Sequence, residues 1–134
     1  MIVRGHQSKS IKSKSDLVEA RKLIMAEAVK GGMSSTRQTH LRTASSELLT
    51  NMLKYAGGGD MRIEVVEYSG KQAIRVVFRD QGPGIDDLEQ AMKDGYSTGA
   101  TLGNGLSSVK RLVDNFTIET EKDRGTQATI LQWF

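Results

Sequence analysis

The sequence has no cysteine, a single proline at Pro83, and only two histidines, His6 and His40. Without cysteine, a disulfide scaffold and any thiolate metal site are excluded. Two histidines leave little for a zinc or haem site. No apolar run approaches the ~18 residues that a membrane span needs. The segment Met1–Ser15 is polar and basic and lacks the apolar stretch of a signal peptide. These absences give the expectation of a cytoplasmic protein without a membrane partner. Charge of one sign is also scarce: 19 basic against 16 acidic residues leave a net +3. That is too mild to imply nucleic acid as a partner. The local cluster Lys9, Lys12 and Lys14 reads either as a solvated edge strand or tail, or as a basic arm.

What is present suits one globular domain. The chain has 134 residues, a hydrophobic fraction of 37%, 14 glycines and 26% charged residues, all ordinary for a folded domain. The expectation is a single domain over 1–134, with 1–15 an N-terminal edge strand or arm. Glycines cluster at 31–32, 57–59, 82–84 and 95–105 and punctuate the chain. Residues 2–12 read as a strand with poor alternation. Ser15-Asp16 offers a helix cap before Leu17, Ala20, Leu23, Ile24 and Ala28, and Gly31-Gly32 ends that helix. A second helix starts at Ser34 or Ser35. Its apolar residues Leu41, Ala44, Leu48, Met52 and Tyr55 recur at three and four, and Gly57-Gly58-Gly59 stops it.

Two strands follow, Met61–Val65 and Ala73–Phe78, with Ser69-Gly70 as their hairpin turn. A short helix near Asp87–Lys93, a long loop and a helix over Asn104–Asp114 come next. Strands Phe116–Glu121 and Thr126–Trp133 close the pattern, turned by Asp123-Arg124-Gly125. The order β-α-α-β-β-α-α-β-β predicts an α/β two-layer sandwich rather than an alternating parallel sheet. Ile24, Met25 and Trp133 are read as core or interface.

Three segments have the residue types for chemistry. Glu47 and Asn51 lie four apart, about 40° around a helix, and Lys54 falls on the same stripe. The Asn oxygen suits a hard Mg²⁺ ion, which takes few protein ligands plus phosphate and water. The carboxylate can accept a proton from a nucleophile. Taken alone, the stripe reads first as a solvated helix face. Asp80-Gln81-Gly82-Pro83-Gly84-Ile85 follows a buried-looking strand. There an Asp can accept from a ligand amino group, and glycines let the backbone come close; alone it is equally a tight turn. Gly95 to Leu106 is rich in Gly, Ser and Thr and runs into a helix. Such a junction presents N–H groups to phosphate, and its length suits a lid or a plain flexible loop. Neither a P-loop nor a dinucleotide fingerprint is present.

The order of these motifs is more specific than any one of them. Glu47-x-x-x-Asn51 resembles the N-box of the GHKL superfamily of ATPases and kinases. Asp80-x-Gly82-x-Gly84 resembles its adenine-binding box, Gly103-x-Gly105-Leu106 its phosphate-binding box, and Gly125-Thr126 its last box. The resemblance covers about residues 16–133. The stretches Ser46–Asn51, Tyr55-Ala56-Gly57, Asp80–Ile85, Gly95–Thr98 and Gly105–Leu112 resemble the anti-sigma-factor serine/threonine kinases, and among them the stressosome switch kinases. Thr101 and Asn104 depart from the smaller or apolar residues of the family's lid.

The resemblance implies a GHKL-type fold: a mixed, mostly antiparallel sheet covered by helices on one face. It implies an ATP-dependent serine/threonine kinase whose substrate is a STAS-domain antagonist in a partner-switching pathway. The alternative it carries is an anti-sigma factor that binds a sigma factor directly and is released by a STAS-domain protein. The cofactors implied are ATP and Mg²⁺. Downstream partners would be a phosphatase, a cyclase or a sigma factor. Asp80 would accept from the adenine amino group, with water and Thr126 assisting, while Gly82 and Gly84 let the base lie close. Asn51 would ligate Mg²⁺. Gly103, Asn104, Gly105 and Leu106 would hold phosphate through the backbone, and Lys54 would offset its charge. Glu47 would be the catalytic base.

Overall fold

The computed structural model describes residues 1–84 and 102–134. In chain order these form β1 (Ile2–Ile11), α1 (Lys14–Lys30), α2 (Ser35–Ala56), β2 (Gly59–Tyr68), β3 (Lys71–Arg79), α3 (Leu102–Leu112), β4 (Asn115–Glu121) and β5 (Gly125–Trp133). The helix expected over 87–93 and the loop through 101 lie outside the described residues. The five strands make one sheet in the order β1-β2-β3-β5-β4. The expected mostly antiparallel sheet, covered by helices on one face, is present, and among the described strands all four pairings are antiparallel. Two of them, β2–β3 and β4–β5, are tight hairpins, which make antiparallel neighbours.

Local chemistry sets the element ends. α1 is capped at Ser13, two residues before the cap expected at Ser15-Asp16. The Ser13 hydroxyl accepts from the Asp16 N–H at 3.1 Å, and the Asp16 carboxylate accepts from the Lys12 N–H at 2.9 Å. The first bond satisfies a donor that the helix start leaves open, and the second ties the residue before the cap to the same turn. The Lys12 N–H bond, ahead of the Ser13 hydroxyl and the Lys9 ammonium, holds the Asp16 carboxyl below its ordinary value. α2 is capped by Ser34 and stopped by Gly57 in the left-handed region, φ +73°. Gly57 and Gly58 donate back to Leu53 and Met52 at 3.2 and 3.1 Å, so the last carbonyls are satisfied. Ser69 and Gly70, both at positive φ, form the two-residue turn expected between β2 and β3.

The three helices cover one face of the sheet. Ile24, Leu41, Leu49, Ile63, Ile74 and Ile130 are fully or almost fully buried between the layers. The expected strand over 2–12 is the edge strand β1, which holds Lys9, while Lys12 lies between β1 and α1 and Lys14 begins α1. Lys9 reaches from β1 to Asp16 and Glu19 on α1.

The other face carries a smaller apolar cluster of Val66, Ala73 and Leu131, with Tyr68 and Trp133 packed edge to face at 5.8 Å. Trp133 is thus on the sheet's far side from the helices. Beside the cluster, buried Glu64 accepts from Arg75 at 2.7 Å and Arg62 at 3.2 Å. Burial pushes the Glu64 carboxyl up, but the two guanidinium groups outweigh it and leave it below its ordinary value. A carboxylate depressed in this way contributes stability above its unfolded value, near pH 4.5, that is lost as pH falls through its folded value. Between pH 6 and pH 3 the thermal midpoint of the wild type is therefore expected to fall more steeply than that of Glu64→Gln. Parallel melting curves across that window would remove the claim.

Candidate active site

Two ends of the fold meet at Asp80. The residue follows the last pair of β3, and its N–H donates to the Thr126 carbonyl at 2.9 Å, extending the ladder to β5 by one bond. One carboxylate oxygen, Oδ1, accepts from the N–H of Gly82 at 2.9 Å and of Thr126 at 3.2 Å. These bonds fix the carboxylate plane while using one of its two oxygens. The Asp80–Gly84 turn is pinned from two sides. Gly82 lies against Ala56 at the end of α2, where a Cβ would overlap the Ala56 side chain. The Asp123 N–H donates to the Pro83 carbonyl at 2.8 Å from the β4–β5 hairpin tip. Gly125, at φ +106°, sits so close to the Asp80 carbonyl that a side chain there would collide with it. Glycine is needed at 125 both for the backbone angle and for this approach.

α2 carries the other half of the site. Glu47 and Asn51 are both half-buried, on a helix whose Leu48, Leu49 and Met52 are buried in the core. The two polar atoms of the Asn51 side chain are buried and make no hydrogen bond among the described residues. An amide left in that state costs free energy unless a ligand satisfies it. Its oxygen is the kind of hard donor that Mg²⁺ takes, so the residues present fit the ion that the family resemblance implied. Among the described residues no group of three or more His, Cys, Asp and Glu gathers as a metal site. Lys54 is exposed, with its ammonium 5.5 Å from the centre of the Tyr55 ring.

Helix geometry orders these groups along one direction. From Ala56, beside Gly82, the rise along α2 is about 7.5 Å to Asn51 and about 13.5 Å to Glu47. α2 also packs against α3. Arg37 near the start of α2 pairs with Asp114, just past the end of α3, at 2.7 Å. The two helices therefore run antiparallel. An eleven-residue α3 spans about 16 Å, which brings its first turn alongside the middle of α2, at the level of Glu47 and Asn51. α3 begins at Leu102, two residues before the start expected at Asn104. Gly103, Asn104 and Gly105 thus belong to its first turn, where backbone N–H groups have no helical acceptor. The Leu106 side chain is buried in the core, so any phosphate contact at 106 is through its backbone. The lid residues before Leu102 lie outside the described residues.

Sequence reasoning overlooked three contributors: Ala56, Asp123 and Thr120. Ala56 and Asp123 act through packing and a main-chain N–H, which side-chain type does not signal. Thr120 had a signal. It follows Phe116 and Ile118 at a spacing of two, on the helix-facing side of β4.

Comparison with known proteins agrees with this geometry. Residues 36–133 match the family described as histidine kinase-, DNA gyrase B-, and HSP90-like ATPase. The chain is 41% identical to the serine/threonine-protein kinase RsbT of Bacillus subtilis over 118 residues, covering 88% of this chain and 89% of that protein. It is 30% identical to an anti-sigma F factor of Clostridium kluyveri over 101 residues, covering 72% and 70% of the two chains. Its fold is similar to a chain in the SiaB–SiaC complex from Pseudomonas aeruginosa, with a TM-score of 0.58 at 13% identity over 98% of this chain and 91% of that one. It is also similar to the catalytic domain of histidine kinase ThkA, with a TM-score of 0.54 at 14% identity over 99% and 96%. The chain belongs to the histidine kinase-, DNA gyrase B- and HSP90-like ATPase family, and within it is a serine/threonine-protein kinase.

Proposed function

We propose that this kinase, a single domain working in the cytoplasm, transfers the γ-phosphoryl group of ATP to a Ser or Thr hydroxyl on a STAS-domain antagonist in a partner-switching pathway. The observation that carries the reading is the buried Asn51 amide, unpartnered among the described residues, on one helix face with Glu47 and beside the first turn of α3. The adenine amino group donates to the free oxygen of Asp80. Gly82 and Gly84 bring the backbone against the base, and Thr126 lies at its edge. The triphosphate runs along α2 toward Glu47, over the open N–H groups of Gly103, Asn104, Gly105 and Leu106. Lys54, near the same stripe, offsets phosphate charge. Asn51 would hold Mg²⁺, which neutralises charge on the phosphates when bound.

Glu47 lies furthest from the adenine end, where the terminal phosphate reaches. Its carboxylate orients the incoming hydroxyl and takes its proton. The hydroxyl oxygen bonds to the γ-phosphorus, the bond from that phosphorus to the bridging oxygen breaks, and ADP leaves. Phosphoryl transfer of this kind depends on positioning and charge neutralisation. The similarity to anti-sigma F factors favours one second reading, in which nucleotide-bound protein holds a sigma factor and phosphorylates its antagonist to regulate release. Downstream of either, a phosphatase, a cyclase or a sigma factor receives the signal.

The test is calorimetric titration of the chain with ATP, with and without Mg²⁺, followed by labelled-phosphate transfer to candidate STAS proteins. ATP binding that strengthens with Mg²⁺, and label on a Ser or Thr of a STAS protein, is the expected result. No binding with or without a STAS protein present would sink the reading. Capture of a sigma factor with no STAS phosphorylation would replace it by the second.

A further inference from the structure

β5 is tied at its two ends to the two halves of the proposed nucleotide site. At its start, the Thr126 carbonyl accepts from the Asp80 N–H, and the Thr126 N–H donates to the Asp80 carboxylate. At its finish stands Asp114. The Asp114 N–H donates to the side-chain oxygen of Gln132 at 3.0 Å, and Gln132 is almost fully buried. The Asp114 Oδ2 accepts from the Trp133 N–H at 2.9 Å and from Arg37 Nη1 at 2.7 Å. β4 starts at Asn115, opposite Leu131. The Trp133 N–H thus lies past the end of that ladder, and the carboxylate stands where a strand carbonyl would. α3 ends at Leu112, two residues earlier, and Arg37 is in the first turn of α2. Asp114 therefore ties the end of α3 to the start of α2 and to the end of β5.

From Thr126 to Trp133 the strand rises about 23 Å. α3 runs back from the Trp133 end by about 16 Å, toward the Asp80 end. From this arrangement we propose that Asp114 is a positioning residue, which sets where the first turn of α3 meets the phosphates of a nucleotide whose base is held at Asp80. The proposal rests on the reading of the Asp80 turn as the base-binding end and of the first turn of α3 as the phosphate end. Leu106, Val109 and Val113 bury α3 against the core. Apolar burial is non-directional and leaves a helix some freedom to slide or turn. Oriented bonds to a carboxylate are short and directional, and they remove that freedom. The Asp80–Thr126 bonds do not involve Asp114, so the base end keeps its own geometry when Asp114 is lost.

The experiment is titration of the full chain with ATP and with AMP, each with Mg²⁺, for the wild type, Asp114→Ala, Arg37→Ala and Asn51→Ala, with thermal midpoints measured beside them. AMP carries the base and one phosphate, whereas ATP extends along α2 to the first turn of α3. Displacing about one phosphate hydrogen bond is expected to lower the ATP-to-AMP affinity ratio about three- to tenfold in Asp114→Ala and Arg37→Ala. A merely structural role lowers the thermal midpoint and leaves the ratio unmoved, and that result overturns the proposal. Should Asp114→Ala fail to fold, Arg37→Ala decides, because the Arg37 side chain is 42% exposed and its removal leaves the core intact. If the wild type binds ATP no tighter than AMP, the reading of the phosphate end falls and takes the proposal with it. If Asn51→Ala lowers the ratio while Asp114→Ala and Arg37→Ala keep it, the site reading stands and Asp114 has no part in it.

Discussion

Glu47→Ala is expected to lower phosphoryl transfer by about 10²- to 10⁴-fold, the range lost with a positioned general base, while ATP still binds with near wild-type affinity. The split follows from where the residue stands. Glu47 is about 13.5 Å along α2 from the Ala56–Gly82 contact that marks the proposed base-binding end. Alanine is the best helix former, and the buried neighbours Leu48 and Leu49 are untouched, so the helix keeps its packing. Single-turnover transfer measured beside ATP titration decides the matter. A variant that transfers at the wild-type rate would strip Glu47 of its role as base.

Asp80→Asn is expected to fail at the opposite end, in affinity rather than rate. The asparagine oxygen can still accept from Gly82 and Thr126, so the turn keeps its internal bonds. The second oxygen becomes an NH₂ group that faces the adenine amino group donor to donor. Losing a hydrogen bond to a charged group is worth about 1.5–3 kcal/mol, which is about 10- to 150-fold in ATP affinity. The new NH₂ would suit a 6-oxo base, so GTP is expected to lose less than ATP or to gain. Equal ATP binding by variant and wild type would remove Asp80 from the base-binding site.

Much of this site was legible because its residues sit on strongly patterned elements. The three-four spacing of α2 places Glu47 and Asn51 on one face, and Gly57 ends the helix where its left-handed angle is required. Ser69-Gly70 reads as a two-residue turn for the same reason. The misses have physical causes too. Gly59 and Asp60 are poor strand formers, yet β2 begins at Gly59 because β1 and β3 pair with that end from both sides. Tertiary pairing overrides propensity there. Ser13 caps α1 in place of Ser15 because its hydroxyl accepts from the Asp16 N–H while the Asp16 carboxylate accepts from the Lys12 N–H, and that geometry is invisible in composition. The near-complete burial of Glu64 could not be read from an alternating Arg-Ile-Glu-Val pattern. It depends on Arg75, eleven residues away on the neighbouring strand.

The position of β5 bears on how the protein is made. It follows β4 in sequence yet lies inside the sheet, between β3 and β4. β4 has no other partner among the described strands, and Asp80 takes bonds from Thr126 at the start of β5. A growing chain can close the β2–β3 hairpin early. It cannot seat β4 or order the Asp80 turn until residues 125–133 have been synthesised and have crossed back to β3. Such long-range closure is slow compared with local hairpin formation. A nascent chain therefore holds an unpaired β3 edge until residues 125–133 arrive, and the Asp80 turn is ordered in the same step as the sheet.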